Sequence, residues 1–252
     1  MAYKKIVSDW NFTAVRFNED LPNKRIVKAI VEKTKGDILK GKFWKASKLL
    51  SFLKAKTAIE SKLNEYEKGN CHPSEIYKFF NEYFLKGQDP AFVMHVLDEF
   101  ARDSKELVDL KLLIPIYSAH LAGKGTAILS VACNYTIQAV LNNIGFKNLF
   151  DDIIANTMQI ENGKLTGFTQ NIYGEKQDIV INEFFKKQGF RDNELIYIGD
   201  SKDDEPVAEI LAPGHFVVSF MASDEFKQHM ASTYQAVVPE NKNDLYNVLR
   251  KR

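Results

Sequence analysis

Ile6-Val7-Ser8-Asp9-Trp10-Asn11-Phe12-Thr13 is a short apolar run that ends on an aspartate near the start of the chain. A carboxylate at the mouth of a buried strand is costly unless something uses it. A second stretch has the same design: Leu195-Ile196-Tyr197-Ile198-Gly199-Asp200-Ser201-Lys202-Asp203-Asp204. Two acid-tipped strands far apart in sequence point to one acidic site at the edge of a parallel sheet. Two residues after Asp9, where a second acid would complete the first stretch, stands Asn11.

The pattern around these strands is mixed. Residues 4–10 read as a buried strand, and helical spacing then dominates to about residue 123. Ser74 is a candidate cap for a helix over Glu75 to Leu85. Asp89-Pro90 opens another helix that runs to about Arg102. A further helix from about Ile116 to Ala122 stops at Gly123-Lys124-Gly125. Short strands and helices then alternate: strand Thr126 to Ser130, helix Thr136 to Ile144, strand Asp152 to Ala155, and a hairpin turn at Glu161-Asn162-Gly163-Lys164. A helix over 175–189 follows, then a strand over 194–199, a helix from Val207 to Leu211, and strands at His215 to Phe220 and Ala236 to Pro239. Such alternation implies an α/β chain with a Rossmann-like parallel sheet. The helical block interrupts it, so the expected organisation is a core of residues 1–19 and 116–252 with an inserted helical domain at 20–115.

Composition sets the outer limits. The 252 residues fit one large domain or a core with a smaller one. Apolar content is 45% and net charge +1, so the whole-chain field says little about partners. Cys71 and Cys133 are too few for a disulfide framework, which makes a reducing cytoplasm the expected setting. Met1-Ala2-Tyr3-Lys4-Lys5 has no signal-peptide apolar region. No stretch is long enough to span a bilayer.

Ligands of open α/β sheets bind beyond the carboxyl ends of the strands. Asp9, Ser130 and Asp200 all sit at such ends, and Lys176 opens a helix after the loop containing Gly174. Two carboxylates can hold a hard divalent cation, most simply Mg²⁺. A serine hydroxyl and an ammonium can bind phosphate oxygens. A carboxylate beside a metal can act as a nucleophile.

In that order and spacing these residues resemble the four motifs of the haloacid dehalogenase superfamily of phosphotransferases. Asp9-x-Asn11-x-Thr13 stands where the family has Asp-x-Asp-x-Thr, Ser130 is its strand-end hydroxyl, Lys176 its helix-start lysine, and Gly199-Asp200 with Asp204 its Gly-Asp-x-x-x-Asp. The resemblance covers roughly residues 1–20 and 120–252. The insertion is similar to the family's C1-type helical cap, and the hairpin Asn162-Gly163-Lys164-Leu165-Thr166-Gly167 is similar to the phosphoserine phosphatase branch. The resemblance implies a Mg²⁺-dependent phosphatase for a small phosphorylated metabolite. Asp9 would be the nucleophile that forms an aspartyl phosphate. Asp9, Asp200 and the backbone carbonyl of Asn11 would ligate the metal, with Asp204 fixing the metal shell and Asp203 as its neighbour. Thr13, Ser130 and Lys176 would bind substrate, and Lys176 would offset charge on Asp9.

Asn11 departs from that pattern. The family's phosphatases use an acid there to protonate the leaving oxygen and then to activate water; an amide does neither. Such help is worth about 10²–10⁴-fold, so hydrolysis of alkyl phosphates is expected to be poor. Three explanations stand open: substrates whose leaving group needs no proton, such as acyl or aryl phosphates; a catalytically weak or inactive binding protein on the same scaffold; or an engineered Asp→Asn inactive form. Dehalogenase relatives also lack the second acid, but they need no metal, and the intact Gly199-Asp200-x-x-x-Asp204 favours Mg²⁺ and phosphate.

Other features take plainer readings. The lysines from about residue 24 to 68 read as a solvated face rather than a nucleic-acid surface. Phe43, Trp44 and Phe52 read as core of the helical insertion. Cys71-His72 is too isolated for zinc. His95, His120, His215 and His229 are scattered and read as structural, and Cys133 reads as a buried, inert thiol. The expected partner is a small phosphorylated substrate, without nucleic acid or membrane. Substrate identity and oligomeric state stay open.

Overall fold

The structure is a computed structural model that describes residues 3–17, 20–67, 73–169, 172 and 176–250. Its strands in chain order are β1 (Lys5–Ser8), β2 (Gly125–Cys133), β3 (Asp152–Asn156), β4 (Met158–Glu161), β5 (Lys164–Phe168), β6 (Leu195–Gly199) and β7 (Phe216–Val218). Its helices are α1 (Asp20–Leu39), α2 (Ala46–Glu67), α3 (Pro73–Phe80), α4 (Pro90–Asp103), α5 (Leu110–Leu121), α6 (Asn134–Asn143), α7 (Lys176–Ile179), α8 (Glu205–Ala208), α9 (Asp224–Tyr234) and α10 (Lys242–Arg250). A π-helical stretch, Asn81–Leu85, continues α3, and another, Val180–Lys187, continues α7.

Five strands form one sheet in the order β3-β2-β1-β6-β7, with every pairing parallel. Strand residues alternate between two cores. Ile6, Ile128, Ile196 and Ile198 face one cluster with Leu112 and Ile116 of α5, Ile137 and Val140 of α6, and Leu245 and Leu249 of α10. Val7, Leu129 and Tyr197 face another with Val180, Phe184, Val207, Phe226 and Met230. Burial on both faces explains why these strands are nearly continuous apolar runs. The chain leaves β1 toward β2 and β3 on one side and later fills β6 and β7 on the other. The order therefore reverses between β1 and β6, where ligands of such sheets bind.

Helices α1 to α4 build a third cluster, with Ile26, Ile30, Phe52, Phe80, Phe84, Val93 and Leu97 at its centre. Leu165 and Phe168 of the β4–β5 hairpin belong to it too. The hairpin is stitched to the helices by backbone bonds from Gly87 N to Leu165 O (2.8 Å) and from Leu165 N to Gln88 O (3.0 Å). Asn81 completes the join: its Nδ2 donates to Phe168 O and its Oδ1 accepts from Phe168 N, both at 2.9 Å. Asn81→Ala removes both side-chain partners of a buried residue. It is expected to cost about 2–4 kcal/mol in chemical denaturation; a loss below about 1 kcal/mol would show that the stitch is replaceable.

Several expected elements differ in extent. β1 is shorter than residues 4–10. α5 starts at Leu110, not near Ile116, because Asp109 caps it by accepting from Lys111 N (2.9 Å) and Pro115 is accommodated inside the helix. Ala236 to Pro239 is no strand; it contributes a single bridge, Val217 to Val237. Phe52 is buried as expected, but Phe43 and Trp44 are not core: they stand in a short 3₁₀ turn with no buried residue. Asp89 caps α4 as read, its carboxylate accepting from Ala91 N at 3.0 Å. Cys71-His72 and Tyr173-Gly174-Glu175 lie outside the described residues, and the side chain of Ser74 is likewise not described.

Candidate active site

Ser8 pairs with both Ile128 and Ile198, so the chain turns off β1 at Asp9 beside the end of β6. The turn is tight: Ala14 N and Val15 N both donate to Trp10 O, at 2.9 and 3.1 Å. Phe12 takes a left-handed conformation within it (φ 50°), uncommon for a bulky residue and a local strain that the surrounding turn must hold. Thr13 is thereby returned to the site. Its hydroxyl donates to Asp200 Oδ1 at 2.6 Å and lies 3.4 Å from Asp9 Oδ2.

Lys176 enters from the start of α7 and is buried. Its Nζ lies 3.0 Å from Asp9 Oδ1 and 2.6 Å from Asp204 Oδ1. Burial alone would lower its pKa, but the Asp204 and Asp9 carboxylates outweigh that and raise it, so the ammonium is held charged. Asp204 is fully buried, and both of its oxygens are engaged. Oδ1 also accepts from the Tyr197 hydroxyl (2.7 Å), and Oδ2 accepts from Asp200 N (3.0 Å) and Ser201 N (3.4 Å). Gly199 makes room for it, since a Cβ there would stand 2.6 Å from Asp204 Cγ.

Carboxylate oxygens of Asp9, Asp200 and Asp204 come within 4.8 Å of one another. Burial is the main cause that pushes the Asp9 pKa up to about 6, with Lys176 pulling it back and Asp204 adding to it. Burial likewise leads at Asp200, raised to about 8 with the Asp9 and Asp204 charges reinforcing it. Three acids facing one ammonium leave an excess of negative charge that a divalent cation would offset. Lys176 takes Asp9 at Oδ1 and Thr13 takes Asp200 at Oδ1, while among the described residues Asp9 Oδ2 has only the longer 3.4 Å contact with Thr13. The donor set, hard oxygens on two adjacent strand ends, therefore fits Mg²⁺.

The structure thus brings Asp9, Thr13, Lys176, Asp200 and Asp204 together. Ser130 is buried two residues beyond the Ser8–Ile128 pair, level with the Asp9 turn, and its Oγ accepts from Ala132 N at 3.2 Å. Asn11 is half-buried, and its Oδ1 has no hydrogen-bond partner among the described residues. Asp203 is exposed.

Two contributors were missed in the sequence. Tyr197 orients Asp204, and Ser219, just after β7, donates to Thr13 O at 3.3 Å. A tyrosine inside an otherwise aliphatic buried strand was a usable signal, because its hydroxyl must find a partner. Ser219 carried none.

Comparisons with known proteins agree with this geometry. The family model for haloacid dehalogenase-like hydrolases matches residues 73–209, which include Ser130, Lys176, Asp200 and Asp204. No curated protein matches the chain by sequence. Among solved structures, a protein of unknown function from Bordetella pertussis Tohama I superposes with a TM-score of 0.69 at 13% identity, over 95% of this chain and 99% of that one. A probable phosphoserine phosphatase from Vibrio cholerae gives 0.63 at 12% identity, over 97% of this chain and 64% of that one. Cytosolic 5'-nucleotidase IIIB bound to cytidine gives 0.59 at 15% identity, over 97% and 84%. At these identities the likeness is one of fold. With a family match over more than half its length, a five-stranded parallel core and an acidic triad at the switch point, the chain belongs to the haloacid dehalogenase-like hydrolases.

Proposed function

We propose that the protein is a Mg²⁺-dependent phosphatase for a small phosphorylated metabolite, with Asp9 as nucleophile. The observation that carries this reading is the Lys176 ammonium between Asp9 and Asp204, beside Asp200. Lys176 fixes Asp9 Oδ1, which leaves Oδ2 to attack phosphorus. The P–O bond to the leaving group breaks, and an aspartyl phosphate forms. Water then attacks that phosphorus, releasing phosphate and restoring the carboxylate. Thr13, Ser130 and Lys176 would bind the phosphoryl oxygens. Asp9, Asp200 and the Asn11 carbonyl would hold Mg²⁺, which when bound offsets the charge of carboxylates and phosphate together. Asp204, its oxygens taken, would orient Lys176 and the Asp200 backbone.

Of the helical insertion expected at residues 20–115, α1 to α4 would act as a cap that closes over the substrate and excludes water, α5 being packed against the sheet. The names of the two phosphatase neighbours support small phosphorylated substrates of that kind. Among the described residues no helix is long and apolar enough to cross a membrane, and we infer a cytoplasmic setting from the scarcity of cysteine.

Phosphate release from an aryl, an acyl and an alkyl phosphate, with and without Mg²⁺, tests the reading. Aryl or acyl turnover that requires Mg²⁺ and disappears in Asp9→Ala supports it. The amide at position 11 favours a second reading, a binding protein of little or no turnover. No release of phosphate from any of the three, with ligand binding intact, would establish that one. Metal binding has its own readout. Mg²⁺ at about 100 times its dissociation constant is expected to add about 2.7 kcal/mol of stability, lost in Asp200→Ala. An unchanged melting temperature at millimolar Mg²⁺ would remove the metal from the proposal.

A further inference from the structure

The corner between α1 and α2 is an apolar surface that the fold leaves uncovered. Leu39 is 87% exposed, Phe43 72%, Trp44 73% and Leu50 61%. Leu53 shares the face of Leu50, one turn on, away from the buried Phe52 and Ala55. A tryptophan and a phenylalanine side by side in solvent are unusual for a cap that has a core of its own.

The surrounding charge has one sign. Residues 39–56 contain six lysines, Lys40, Lys42, Lys45, Lys48, Lys54 and Lys56, and no acidic residue. Lys42 and Lys45 pair with Asp37, and Lys56 lies 3.8 Å from Glu60. Lys40, Lys48 and Lys54 have no carboxylate within 4.0 Å among the described residues. The corner lies at the C-terminal end of α1: the helix starts seven residues after Thr13, and its 20 residues span about 30 Å to Leu39.

We propose that this corner docks on an anionic lipid surface, with Phe43, Trp44, Leu39, Leu50 and Leu53 at the interface and Lys40, Lys48 and Lys54 over the headgroups. Aromatic and leucine side chains flanked by lysine match an interfacial anchor, in which apolar burial and attraction to acidic lipids act together. A second copy fits less well. A two-fold contact would set the same lysines against one another, and like charges across an interface are disfavoured.

The full chain carries its own reporter, because Trp10 is fully buried and Trp44 is exposed. The expected result is co-sedimentation with vesicles of phosphatidylcholine mixed with phosphatidylglycerol, none with phosphatidylcholine alone, and a blue shift of Trp44 emission on the mixed vesicles. Lys40→Glu/Lys48→Glu/Lys54→Glu is expected to weaken partition by at least about tenfold. Phe43→Ser/Trp44→Ser, which alters only exposed rings, is expected to do the same with an unchanged circular dichroism spectrum, and it carries the test if the triple variant fails to fold. Failure to sediment with the mixed vesicles would overturn the proposal. So would Trp44 emission already blue in a dimer without lipid, or binding to single-stranded nucleic acid in place of vesicles.

Discussion

Asn11→Asp is expected to raise hydrolysis of an alkyl phosphate by about 10²–10⁴-fold, the usual worth of a positioned general acid–base group. Asn11 follows Asp9 by two residues, is half-buried, and holds an Oδ1 without a partner among the described residues. An alkoxide is a poor leaving group and needs a proton as the P–O bond breaks, which an amide does not supply. A half-buried carboxyl group two residues from Asp9 would have its pKa raised by burial and by the acidic cluster to which Asp9 belongs, which suits a proton donor. Aryl and acyl phosphates should gain far less, because their leaving groups depart unprotonated. The comparison is kcat/KM for the three substrates in both forms, with Asp9→Ala as the blank. A gain confined to the alkyl substrate identifies position 11 as the missing acid. Equal gains on all three would place its effect elsewhere.

Asp204→Ala should destabilise the protein by about 3–5 kcal/mol when no Mg²⁺ is present, because it breaks a buried ion pair from one side. Among the described residues, Lys176 would keep Asp9, at 3.0 Å, as its remaining ion-pair partner. The Tyr197 hydroxyl and the Asp200 N–H would lose their acceptor. The side chain also fills the space over Gly199, so its removal adds a void. For a chain of this size the change corresponds to a melting shift on the order of 10 °C. Asp204→Asn keeps the volume and removes the charge. If it recovers most of the loss, packing rather than charge holds the site; if it recovers little, the ion pair does. A cost below about 1 kcal/mol in Asp204→Ala would show that Lys176 is held by other groups.

The two acid-tipped strands were legible because an aspartate at the end of an apolar run is energetically anomalous, and the anomaly marks its own place. Lys176 was legible by its position after a glycine-containing loop, and Asp89 by its place before Pro90. Boundaries were less so. α5 hides behind Pro115, whose ring reads as a helix stop; the helix nevertheless runs through it and forgoes the one bond an N–H at 115 would make to the carbonyl four residues back.

The sequence by itself determined the sheet, its parallel sense and the acids at its edge. Strand periodicity and strand-end chemistry are local, and each short segment carries them whole. Only the tertiary structure decided how those acids are used: that Asp204 has both oxygens engaged, that Tyr197 and Ser219 join the site, and that Asn81 stitches the helices to the hairpin. It also decided that Phe43 and Trp44 face solvent. An aromatic residue at helical spacing reads as core in sequence; whether another element arrives to cover it depends on contacts between segments far apart in the chain, which no local pattern contains.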